Sequence, residues 1–151
     1  MKKILINTFL FFLLSNCCFS PIYSIDDNQN FKIQIESVKG DRLINNQIIS
    51  KLNSISNDQS ENKFNIDINT IYNKTIYSKD NTGATSSYQL DVISEVNIVN
   101  RERIEKITVT EKFIMDNNDN TVDEKNYERT IKKTFASSIT KQILLKLYSK
   151  K

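Results

Sequence analysis

The chain has 151 residues, with 21 Lys+Arg against 18 Asp+Glu, 22 Ile, 19 Asn, two Gly, one Pro and two Cys. It contains no His, so the commonest general base and the commonest zinc ligand are both missing. That length fits one domain, and the isoleucines supply a core that a disordered chain would lack.

Lys2 and Lys3 precede the apolar run Ile4–Leu14. Eleven helical residues rise roughly 16 Å, too little for a hydrocarbon layer of about 30 Å. The segment therefore reads as a secretory signal over residues 1–16, not as a membrane span. It ends in Leu14-Ser15-Asn16-Cys17, which has the form of a lipobox. Cys17 is the expected acylation site and the first residue of the mature chain, and Cys18 is a bystander. Three acyl chains, at ~0.8 kcal/mol per buried CH₂, make a durable anchor where one chain does not. Removing Lys2 and Lys3 leaves 19 cations against the 18 acids, a mature net charge of +1. No basic block with interleaved aromatics is present, so no nucleic-acid partner is expected.

Residues 17–30 form a lipidated N-terminus and tether holding the single proline, Pro21. A single domain is expected over 31–151. Residues 31–36 alternate with period two and predict a strand. Asp41 is placed to cap a helix whose stripe is Leu43, Ile44, Ile48, Leu52 and Ile55. After a polar loop at 56–63, Phe64, Ile66, Ile68 and Tyr72 mark a second strand. Asp80-Asn81-Thr82-Gly83 is turn chemistry. Tyr88, Leu90, Val92, Val96 and Ile98 mark a third strand, and Ile107, Val109, Phe113 and Met115 a fourth.

Thr121 and Glu124 have capping-box spacing ahead of a long helix reaching about Tyr148. Its apolar residues Tyr127, Ile131, Phe135, Ile139, Ile143 and Leu147 recur every four positions. Such a stripe drifts about 40° per step, so the helix should cross the sheet obliquely or meet a second surface at its C-terminal end. The order β-α-β-β-β-α predicts an α+β fold, with two helices on one face of a four-stranded, mostly antiparallel sheet. The other face is expected to be polar and rich in Thr and Asn.

Chemistry is sparse. Asp116–Asn120 lacks the glycine and the bidentate acid of a calcium loop, because Thr121 and Tyr127 stand at those positions. Ser86 and Ser87 have no His to activate them. Asn73-Lys-Thr75 fits a glycosylation sequon that a bacterial lipoprotein would not normally use. Gly40 and Gly83 are too few for a phosphate-cradling loop. No enzyme, cofactor or metal is expected. What remains is a binding surface: Lys79 at the turn between the second and third strands and Lys125 after the fourth strand fall at one end of the meander, with Arg101 and Arg103 at the other.

Cys17-Cys-Phe-Ser-Pro-Ile-Tyr23, Gly83-Ala-Thr-Ser-Ser-Tyr88-Gln-Leu90 and the closing Ile139-Thr-Lys-Gln-Ile143-Leu-Leu-Lys-Leu147 resemble corresponding segments of LptE. LptE is the lipopolysaccharide (LPS)-assembly lipoprotein of Gram-negative outer membranes. Cys18 replaces the usual Gly, and Ser87 stands where a basic residue often precedes the Tyr. The resemblance implies an α/β sandwich lodged in the LptD β-barrel as plug and assembly partner. It also implies an outer-membrane location, anchorage in lipid through acylated Cys17, and contact with LPS, for which Lys79 and Lys125 are the matching positions. The residues alone equally allow a lipid-anchored adaptor of another envelope machine.

Overall fold

Alternating side chains give four segments one apolar face each, and these segments pair into one sheet. The computed structural model describes residues 31–101 and 103–149. The signal at 1–16, the acylation site Cys17 and the tether to residue 30 lie outside the described residues. The elements are β1 (Lys32–Gly40), α1 (Arg42–Ile55), β2 (Lys63–Lys79), β3 (Thr85–Asn100), β4 (Arg103–Asp116) and α2 (Thr121–Tyr148). The sheet order is β1-β2-β3-β4. β1 runs parallel to β2, which requires the α1 crossover, while β2, β3 and β4 form an antiparallel meander. This is the expected α+β architecture.

Both helices pack on one face of the sheet. Ile66, Ile68, Leu90, Val92 and Val96 point inward to meet Ile44, Ile48 and Leu52 of α1 and Ile131, Phe135, Ile139 and Ile143 of α2. Each such side chain contributes about 1.5–3 kcal/mol on burial. Inside this layer the Thr70 and Ser94 hydroxyls bond each other at 3.0 Å, so two buried polar groups are satisfied as a pair. At the end of α2, Leu147 is buried and the Tyr148 ring meets Phe31 edge-on at 5.7 Å. The drifting stripe thus reaches a second surface, the start of β1.

Asp41 caps α1 as expected, its Oδ1 accepting the Ile44 amide at 3.0 Å. Gly40 makes that corner possible. It sits at φ 95°, and a Cβ there would lie 1.8 Å from the Thr70 carbonyl oxygen. Only glycine fits so close to the neighbouring strand.

Three expectations change. The cap of α2 is Asn120, whose Oδ1 accepts from Val122 and Asp123, and Thr121 is already helical. Asn is the stronger cap, and Glu124 is drawn into ion pairing instead. Tyr127 continues the stripe in spacing but is 47% exposed, with its ring edge-on to Phe113 at 6.2 Å. The uncovered sheet face is also less polar than its Thr and Asn content suggests. Ile71, Ile93 and Ile114 project from it, 50%, 39% and 49% exposed. β-Branched residues suit a strand even where burial does not demand them.

Candidate functional site

The β2–β3 turn is held by its first residue. Asp80 Oδ1 accepts the Thr82 hydroxyl at 2.6 Å and the Thr82 and Ala84 amides at 2.8 and 3.0 Å. These bonds, the hydroxyl's foremost, hold the carboxyl below its ordinary range. Gly83 completes the turn at φ 85°. The loop after β4 is tied to the same turn, because Asn117 donates its amide to the Ser86 carbonyl at 2.9 Å and its side chain to Thr85 at 3.0 Å. Beneath them, Ser78 bonds Ser86 and Ser87 at 2.7 and 2.5 Å.

This end carries both sequence-predicted lysines. Lys79 pairs in register with Thr85, and Lys125 lies in the first turns of α2. Both side chains are exposed, and neither shows an ion pair or hydrogen bond among the described residues. Arg101 and Arg103 lie at the far end of β3, as expected.

The same helix start holds a second group of charges that sequence reasoning missed. Lys74, on the inner face of β2, bonds Glu124 at 2.6 Å and Glu128 at 3.0 Å. Glu128 also accepts the Tyr72 hydroxyl at 2.9 Å. Lys132 bonds Asp41 at 2.8 Å and lies 3.6 Å from Glu128. Both ammonium groups stand over rings, Lys74 over Tyr88 at 4.2 Å and Lys132 over Tyr72 at 3.7 Å.

Burial opposes ionisation of Glu128, but Lys74 and the Tyr72 hydroxyl overcome it and hold the carboxyl below its ordinary range. Asp41 behaves likewise, with Lys132 and the Ile44 amide overcoming burial. Burial and then the Glu128 carboxylate push the Tyr72 hydroxyl far above the usual range. Lys74 is raised against burial by Glu124 and Glu128. The available signal was the four-residue spacing of Glu124, Glu128 and Lys132 on one helix face.

The arrangement therefore contains two kinds of cation. Lys74 and Lys132 are neutralised by partners and serve the fold. Lys79 and Lys125 are open to solvent at the turn end and can meet an anion. Among the described residues there is no group of three or more His, Cys, Asp or Glu able to hold a metal ion. No helix among them is long and apolar enough to cross a membrane.

No protein-family model matches the sequence. No curated protein matches it. Solved structures do match in shape. An uncharacterized lipoprotein B from Nitrosomonas europaea aligns at 16% identity and TM-score 0.43, over 74% of this chain and 84% of that one. A putative lipoprotein from Caulobacter crescentus aligns at 11% identity and TM-score 0.49, over 82% and 93%. The rare lipoprotein B from Shewanella oneidensis aligns at 11% identity and TM-score 0.58, over 78% of this chain and 96% of that one. Over 78% of its length, the chain shares the fold of that rare lipoprotein B.

Proposed function

We propose that this chain is a non-enzymatic, LptE-like lipoprotein of the outer membrane. In this reading it is the plug and assembly partner of the LptD β-barrel and contacts LPS on its way to the outer leaflet. The observation that carries the reading is the combination of a lipobox ending at Cys17 with a fold shared with rare lipoprotein B, a protein of the LptE type. The Thr and Asn side chains of the uncovered sheet face suit a barrel interior, which is mostly polar and wet, with Ile71, Ile93 and Ile114 as its apolar interruptions. Lys79 and Lys125 are the LPS-contacting cations in this proposal. A phosphate at a partly dehydrated barrel wall meets them at lower dielectric than in bulk water.

Co-purification of the tagged chain with outer-membrane barrels in mild detergent tests the partnership. Recovery of LptD is expected, and its consistent absence sinks the reading. Lys79→Glu with Lys125→Glu should weaken LPS binding without altering the far-UV circular dichroism; unchanged binding removes those two residues from the proposal.

A second reading, a lipid-anchored adaptor of another envelope machine, is favoured by one observation. Lys74 and Lys132 are already neutralised, which leaves two open lysines at the turn end among the described residues. Depletion separates the two readings: surface LPS falls under the first and persists under the second.

A further inference from the structure

The end of the sheet opposite Lys79 and Lys125 carries a second group of cations. Asn100 pairs with Arg103, so β3 and β4 are joined by a two-residue loop that starts at Arg101. Such loops favour left-handed backbone and hence Asn or Gly. Arg101 occupies that conformation, at φ 55°, without being either. A long cationic side chain stands where backbone geometry asks for a smaller residue, and strain of that kind collects at binding sites.

Behind the loop lies a cleft of about 730 Å³, within the size range of ligand sites. Its floor is Phe64, Ile98 and Leu147, and its rim carries Arg101, Arg103 and Lys146. Glu105 is also on the rim and bonds Lys146 at 3.0 Å. Asn100 donates to Asn62 at 2.8 Å across the opening. Neither guanidinium shows an ion pair or hydrogen bond among the described residues. Two forked donors over an apolar floor suit a ligand with a phosphate at one end and hydrocarbon at the other.

The position of the cleft selects the source. Lys32 donates its amide to Asn62, a residue of the cleft wall, at 2.8 Å. Phe31 packs edge-on against Phe64 of the floor at 5.9 Å and against Tyr148 at 5.7 Å. The tether therefore joins the domain beside this cleft, roughly 50 Å of strand away from the β2–β3 turn. The geometry points to a site for the phosphate headgroup of an anionic glycerophospholipid in the membrane that holds the tether. The two guanidinium groups clasp the phosphate, and the floor covers the first carbons of the acyl chains. This deepens the anchoring reading above and rests on it for the choice of a membrane lipid.

The test uses the full-length lipoprotein in a non-ionic detergent, with ¹⁵N-labelled arginine. Dihexanoyl phosphatidylglycerol, kept below its micelle concentration, should shift the Arg101 and Arg103 Nε–H signals saturably. Arg103→Ala should weaken binding ~5–10-fold. Arg101→Gly should weaken it similarly while Tm holds or rises, because glycine relieves the left-handed backbone. Lys79→Glu should leave the affinity unchanged.

Equal affinity for inorganic phosphate would replace the lipid by a small phosphate compound and overturn the proposal. Equal affinity for dihexanoyl phosphatidylcholine, or no saturable shift, overturns it as well. An Arg101→Gly chain with unaltered affinity would overturn the clasp by two guanidinium groups. Binding in detergent does not depend on acylation. A mass spectrum of the N-terminal peptide showing bare Cys17 therefore removes the anchoring reading alone.

Discussion

The two halves of α2 are held by different physics. From Ile131 to Leu147, the residues at every fourth position are sealed against α1 and the sheet. From Thr121 to Arg129, Val122 and Tyr127 face water, and attachment comes from Lys74, Lys132 and their carboxylates. Apolar burial involves no charge that acid could titrate or salt could screen, whereas ion pairs respond to both. One helix thus joins a permanent half to a conditional half. The conditional half is the one beside the β2–β3 turn and Lys125.

The sharpest way to break this contrast is in the buried half. Ile139→Ala should cost about 3–4 kcal/mol, because its side chain is fully enclosed and the vacated space cannot collapse completely. Urea unfolding would show it as a drop in midpoint with an unchanged slope. In the conditional half, Lys74→Met should cost less, about 1–2 kcal/mol. It leaves Glu124 and Glu128 partly buried without their shared cation, though each keeps some access to water.

Acid separates the halves without mutation. Asp41 and Glu128 sit below their ordinary values of 3.8 and 4.5 in the folded chain. Each therefore stabilises the fold above its unfolded value, and that contribution is lost as pH falls through the folded value. Lys74 is raised above 10.5, so its contribution is present below that value and fades only as pH rises through the folded one. Below pH 4, amide exchange should quicken across residues 121–129 before it does across 135–147. Equal exchange in both halves would dissolve the distinction.

The smallest effect concerns the cap. Asn120→Ala should cost about 0.5–1 kcal/mol, while Thr121→Ala should be nearly silent in thermal unfolding. The opposite ranking would restore the capping box read from Thr121 and Glu124.

What was legible in the sequence follows the same division. The element order, the α1 cap at Asp41 and the stripe from Ile131 to Leu147 all leave periodic or local signals. β2 runs seven residues beyond Tyr72, to Lys79, although its inward Lys74 breaks the apolar alternation. That lysine is tolerated because acids arrive from a helix 50 and 54 positions away, which no local pattern reveals. Tyr127 failed for the complementary reason: its spacing was right, but at that height the sheet offers Lys74 and Phe113 where the stripe expects a closed core. At the candidate site, Lys79 and Lys125 could be assigned to one end from topology. The cleft behind Arg101 could not, because its floor comes from β2, β3 and α2 together.

The ring contact between Phe31 and Tyr148 brings the first and last parts of the described fold within one side-chain layer of each other. Connectivity there is incidental to architecture. A short peptide bridging those two residues, with new termini opened at Gly83 in the exposed turn, would preserve every strand pairing and both helix seats. The fold is in that sense a closed circuit, and the point where the tether enters is one choice among several that its packing would accept.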